Sequence, residues 1–220
     1  MNFLQKMINA KICCIQSIEE AKIAINGGAY AIGLVSKMPS GPGVITEYKI
    51  KEIADWAKGK TKTVLLTALQ NADGLIEQNK YCQSDVIQLV DSQDIYTYKK
   101  LKRELPKVEL MQVIHVIDEY SVQESIEISN YVDFILLDSG NPNLKTKELG
   151  GTGRTHNWEI SKQIVNEIEI PVFLAGGLNP KNVCEAIKTV KPFGVDLCSG
   201  LRIDSKLIEA RVKSFMNNIN

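Results

Sequence analysis

Two side chains in this sequence are of the type and placement that acid–base chemistry needs. Asp138 ends the apolar run Val132–Leu137 and opens into a polar loop carrying three clustered glycines, Gly150, Gly151 and Gly153. A carboxylate at the end of an apolar strand can move a proton, and glycines beside it let backbone N–H groups approach an anion. Cys13 lies in the run Ala10–Ile15, two residues after Lys11. Side chains alternate faces along a strand, so Lys11 and Cys13 share one face while Ala10, Ile12 and Cys14 share the other. A lysine pressed against a helix layer is costly unless paired, so Lys11 is expected to point into the interior of a sheet structure, and Cys13 with it.

The elements that must position these groups alternate in a regular order. Strand candidates are Ala10–Ile15, Ala29–Val35, Thr63–Leu69, Val86–Leu89, Glu109–Val116, Val132–Leu137, Pro171–Ala175 and Gly194–Cys198. Helix candidates between them are Ile18–Asn26, Glu47–Lys58, Ala72–Tyr81, Ile95–Leu105, Ser121–Ser129, Trp158–Glu167, Lys181–Val190 and Ser205–Met216. Ser17 with Glu20 three positions on fits a capping box. Asn179-Pro180 places proline at a first helical position, and Asp204 is positioned to cap the last helix. About eight βα units in 220 residues predict a single (β/α)8 barrel domain over 1–220; a doubly wound open sheet is the rival, but no G-x-G-x-x-G follows the first strand. In a closed barrel the first and last strands are neighbours, which predicts a buried Lys11–Asp196 pair. Cys13 and Asp138 then both lie at the C-terminal ends of strands, the face where barrels build active sites. AGGLNP (Ala175–Pro180) and CSGLR (Cys198–Arg202) follow strands seven and eight, where backbone N–H groups commonly hold phosphate.

Composition narrows the function. Basic and acidic residues number 26 each, so there is no global field for nucleic acid or an anionic membrane surface. No apolar run is long enough to span a bilayer, and the N-terminus has no signal-peptide pattern. Five cysteines, without zinc or disulfide spacing, and two histidines read as a reduced, cytosolic protein with no metal site.

The motifs resemble the phosphoribosylanthranilate isomerase family of tryptophan biosynthesis. The matching stretches are KICCI (Lys11–Ile15), GAYAIGLV (Gly28–Val35), LLDSG with GGTGRTHNW, PVFLAGGLNPKNV (Pro171–Val183) and FGVDLCSG (Phe193–Gly200). The resemblance implies an Amadori rearrangement of an aminoaldose phosphate to an aminoketose phosphate without metal or organic cofactor, in a monomer or homodimer. It implies Cys13 as general base at C2 of the sugar and Asp138 as general acid at the ring oxygen. It places the phosphate on Gly176, Gly177, Ser199 and Gly200, near Lys11, under a closing loop of Gly151, Gly153 and Arg154. A thiol near ~8.5 reaches working pH with modest lowering, and a carboxyl walled by apolar residues suits the acid.

The sequence departs from that family in places. Cys14 stands where members read glycine. Ser40-Gly41-Pro42-Gly43 stands for Ser-Pro-Arg, the arginine that grips the anthranilate carboxylate. Gln88-Leu89-Val90-Asp91 stands for Gln-Leu-His-Gly, and Arg202 and Arg154 replace an acid and a lysine. Either Arg154 or Arg202 takes over the carboxylate, an arginine fork being suited to it, or the substrate is a different phosphorylated aminosugar handled by a related isomerase or lyase. A phosphosugar-binding barrel without catalysis is the non-enzymatic alternative.

Overall fold

A computed structural model describes residues 8–144, 147–149 and 153–219. Eight parallel strands close into a barrel: β1 (Asn9–Ile12), β2 (Ala31–Val35), β3 (Lys62–Thr67), β4 (Val86–Leu89), β5 (Glu109–His115), β6 (Phe134–Asp138), β7 (Val172–Leu174) and β8 (Gly194–Leu197), each hydrogen-bonded to the next and β8 back to β1. Between them run α1 (Ile18–Asn26), α2 (Glu47–Ala57), α3 (Ala72–Cys82), α4 (Ile95–Glu104), α5 (Tyr120–Ser129), α6 (Trp158–Glu167) and α7 (Val183–Val190), with α8 (Glu209–Ile219) last. The expected (β/α)8 barrel is the fold observed.

Period-two alternation divides the sheet into two cores. Outward residues such as Ile12, Ile32, Leu65, Ile87, Ile135 and Leu174 pack under the helices. Inward residues such as Val35, Val64, Leu66, Met111, Leu136 and Phe173 fill the barrel. Tyr30, Phe134, Phe173 and Phe193 sit at the N-terminal end with ring centroids 5.5–6.4 Å apart. These rings close the floor of the barrel.

Lys11 is fully buried, and its Nζ lies 3.0 Å from Asp196 Oδ1, as the inward reading of β1 requires. The two residues are register partners across the β1–β8 seam. Burial works against the charged lysine, but the neighbouring Asp196 carboxylate outweighs it and holds the ammonium above its usual range.

The structure corrects three local expectations. β1 stops at Ile12 instead of Ile15, because Cys14 takes a left-handed backbone (φ 62°). The last helix starts at Glu209, so Asp204 does not cap it. Residues Arg202–Ile203 and Lys206–Leu207 instead pair as a short antiparallel hairpin, β9 and β10, whose turn residues Asp204 and Ser205 have φ 47° and 63°. Pro180 precedes α7 in a turn that Asn179 organises, its carbonyl accepting from Asn182 and Val183 and its Oδ1 from Lys181 N–H. The Ser17 cap does form: Ser17 Oγ accepts from Glu20 N–H at 3.2 Å, and Glu20 reaches back one residue further than a standard box, to Gln16 N–H at 3.0 Å. Among the described residues no helix is long and apolar enough to cross a membrane.

Removing one partner of a buried ion pair strands the other charge, at a cost of ~3–5 kcal/mol. Lys11→Met is therefore expected to lower the free energy of unfolding by about that amount in a urea titration. The double variant Lys11→Met/Asp196→Leu is expected to recover most of the loss.

Candidate active site

The cavity at the open end of the barrel is lined by Cys13, Cys14, Met38, Ser40, Leu66, Gln88, Asp138, Leu149, Gly153, Gly176, Gly177, Asp196 and Ser199, among others. The structure thus brings Cys13 and Asp138 to one cavity, together with Gly153, Gly176, Gly177 and Ser199. Gly151 lies outside the described residues. Lys11 sits beneath the wall on Asp196, and Gly200, Arg154 and Arg202 stand outside it.

Cys13 is almost fully buried. A hydrogen bond with Cys14 is the largest influence and pulls its pKa below the usual thiol range. Burial opposes this, and the Lys11 ammonium adds to the lowering. The Cys14 thiol moves the other way, well up, through its bonds to Cys13 and Cys198 and through burial. Alternation along an extended strand would turn Cys14 toward the helices. Its left-handed backbone instead turns the side chain inward, next to Cys13. The signal in the sequence is that this position is glycine in the resembled family, since glycine marks backbone with positive φ.

Two further glycines shape this corner, and neither stood out in the sequence. A Cβ on Gly33 would come 2.8 Å from Cys13 Sγ, and one on Gly43 would come 2.5 Å from Cys14 Cβ. β2 and the loop after it can therefore close on both thiols only where no side chain intervenes.

Asp138 ends β6 beside His115 of β5, and its Oδ1 accepts from Ser139 N–H at 2.8 Å. His115 Nε2 is fixed on Val90 O at 3.0 Å. His156, read as peripheral from sequence, stands 2.7 Å from Ser161 Oγ through Nε2. Burial pushes its imidazole down to about 4, against the opposing pull of Asp138.

The rim loops interlock through backbone. Gly176 and Gly177 have φ 78° and 61°, and a Cβ on Gly177 would meet the Arg154 backbone at 2.6 Å. A Cβ on Gly200 would meet Leu178 O at 2.8 Å. Ser199–Leu201 is a 3-10 turn, whose first N–H groups have no partner inside the turn. Arg154 pairs with Glu148. Arg202 is held bidentately by Glu20, with both N···O distances 2.8 Å, and also donates to Ser205 O at 2.7 Å and to Cys14 O. Burial pushes the Glu20 carboxyl up, but Arg202 and the N–H groups of Leu207 and Gln16 hold it below the usual carboxylate range. Arg202 is therefore a brace between α1 and the hairpin. That role links residues 182 positions apart, a contact that local pattern does not reveal.

A family model for N-(5'phosphoribosyl)anthranilate (PRA) isomerase matches residues 10–218. The chain belongs to that family. It is 33% identical over 214 residues to the N-(5'-phosphoribosyl)anthranilate isomerase of Moorella thermoacetica, covering 97% of this chain and 90% of that one. The solved N-(5'-phosphoribosyl)anthranilate isomerase of Pyrococcus furiosus superposes with a TM-score of 0.79 at 28% identity, over 96% of this chain and 98% of that one. A phosphoribosyl anthranilate isomerase in complex with reduced 1-(o-carboxyphenylamino)-1-deoxyribulose 5-phosphate has a TM-score of 0.79 at 23% identity, over 97% and 98% of the two chains, a likeness of fold.

The His156 shift sets an acid limit on stability. A histidine in the unfolded chain takes a proton below ~6.5 while the folded ring resists until about 4, so the unfolded state binds more protons in between. Stability is present above pH 6.5 and is lost as pH falls toward 4, by about 2 kcal/mol once partial solvent screening is allowed for. Urea titrations of wild type and His156→Gln across that window are expected to show the slope in wild type and its flattening in the variant.

Proposed function

We propose that this barrel isomerises N-(5'-phosphoribosyl)anthranilate to 1-(o-carboxyphenylamino)-1-deoxyribulose 5-phosphate, a step of tryptophan biosynthesis. The observation that carries this reading is that Cys13 and Asp138 line one cavity at the open end of the barrel, with the buried Lys11 ammonium acting on the thiol. Membership of the PRA isomerase family supports the same reaction.

Each residue then has a defined task. Asp138 donates a proton to the ring oxygen, the C1–O bond breaks, and the anthranilate nitrogen takes up the charge as an iminium. Cys13, as thiolate, removes the proton from C2, which the iminium has made acidic. The electron pair of that C–H bond becomes the C1–C2 double bond of an enolamine. Protonation at C1 and loss of the O2 proton give the aminoketose, so one hydrogen has moved from C2 to C1 with no net oxidation. Lys11 and the Cys14 thiol favour the ionised base before substrate arrives, which suits proton removal near neutral pH. The phosphate is assigned to the backbone of Gly176, Gly177, Ser199 and Gly200, where glycine backbone and the opening of a 3-10 turn present N–H groups. Gly153 and Arg154, already against Gly177, cover the phosphate end.

The amine end supports a second reading. The charged groups of the described wall are Asp138 and Asp196, and Arg202 is committed to Glu20. A phosphorylated aminosugar whose amine carries no carboxylate is accordingly the alternative substrate.

Turnover of freshly generated phosphoribosylanthranilate, followed by loss of its fluorescence, tests both readings. Wild type is expected to turn over, and Cys13→Ser and Asp138→Asn to lose ~10²–10⁴-fold in kcat, the usual worth of one acid–base group. Full activity of Cys13→Ser would remove it as the base. Turnover confined to amines lacking a carboxylate would establish the second reading.

A further inference from the structure

Neither Cys14 nor Cys198 makes or breaks a bond in the chemistry above, yet their sulfurs lie 2.6 Å apart. A disulfide bond is ~2.05 Å long, so these two thiols stand about half an ångström from bonding distance. The approach follows from the barrel seam. β1 and β8 are in register through Ile12 and Leu197, which brings the ends of the two strands side by side. The left-handed backbone of Cys14 then swings its side chain toward Cys198. Gly43 packs so closely on Cys14 from the other side that even a methyl group there would collide.

The pair is also reachable. Cys198 is partly exposed, and it and the buried Cys14 both line a second cavity with Gln16, Pro42, Arg202 and Ser205. The Arg202 guanidinium, paired with Glu20, donates to Cys14 O and fixes the backbone at this corner.

We propose that Cys14 and Cys198 form a redox modification site, closing to a disulfide by exchange with a low-molecular-weight disulfide such as glutathione disulfide. The more exposed Cys198 attacks first as thiolate, forming a mixed disulfide and releasing one glutathione thiolate. The Cys14 thiolate then attacks the Cys198 sulfur and releases the second. Two protein thiols are oxidised, one glutathione disulfide is reduced to two glutathiones, and no other reagent is needed.

Closure acts on the neighbouring base. Cys14 is the largest influence lowering the Cys13 pKa, through its thiol. A disulfide sulfur has no proton to donate, so oxidation returns Cys13 toward the neutral thiol. The pair also immobilises the residue before Ser199. The effect on turnover rests on the proposed role of Cys13; the bond itself does not.

The test incubates full-length protein in glutathione buffers of graded redox poise, with part of each sample digested without reduction for mass spectrometry and part assayed. A peptide linking Cys14 to Cys198, reversed by dithiothreitol, is expected, with turnover near neutral pH falling along the same redox curve. Cys198→Ser, compared with its own reduced-state baseline, is expected to form no link and lose nothing on oxidation. Five free thiols at every poise, a Cys13–Cys14 bond, or a glutathione adduct on Cys198 that never closes would overturn the proposal. A linked peptide in a protein with no turnover in either state would confirm the modification site while refuting the isomerase reading, so the two failures are distinct.

Discussion

The buried Lys11–Asp196 pair is the constraint around which the open end of this barrel is organised. A lone ammonium in the barrel interior carries a desolvation cost of several kcal/mol, and only a carboxylate in direct contact offsets it. That requirement ties the chemistry of β1 to the closure of the barrel, since Asp196 comes into reach only when β8 returns to β1. Cys14 leads the lowering of the Cys13 thiol against burial, and the Lys11 ammonium, two residues along the same face, adds to it by more than Asp196 takes away. Closing the fold thus helps to prepare the base.

Above the pair, the rim is held by contacts that need backbone or fixed charge. Glu20 caps the entrance to α1 through Gln16, receives both nitrogens of Arg202 and accepts from Leu207 N–H, so a single carboxylate binds the first helix to the hairpin after β8. The glycine contacts do the rest: Gly177 under Arg154, Gly200 under Leu178, Gly33 against Cys13. These loops cannot shift independently, which suits a site where a phosphate must stay fixed while the sugar ring opens.

Much of this was legible in the sequence because period-two alternation is strict inside a strand. Lys11, Cys13 and Asp196 could be placed on the inner face from parity and the cost of burying a charge. All eight strands and eight helices were recognisable from their alternation, with ends shifting by a few residues. What stayed hidden depends on backbone leaving the regular regions or on contacts distant in sequence. Parity fails at Cys14, because a left-handed residue breaks the alternation it assumes. Arg202 looked like an anion receptor until its partner 182 positions away was in view. The hairpin Arg202–Leu207 displaced the start of the last helix because Asp204 and Ser205 form its turn, where helix capping had been read.

The dependence of Cys13 on Lys11 can be measured directly. The pH dependence of Cys13 alkylation by iodoacetamide, read at that residue by mass spectrometry, reports its ionisation in wild type and in Lys11→Met, with circular dichroism confirming that the variant is folded. In wild type the midpoint should lie below the ~8.5 of an ordinary thiol and should move upward in Lys11→Met. A wild-type midpoint at or above the ordinary value, or one that the variant leaves unchanged, would contradict the claim that the buried pair prepares the base.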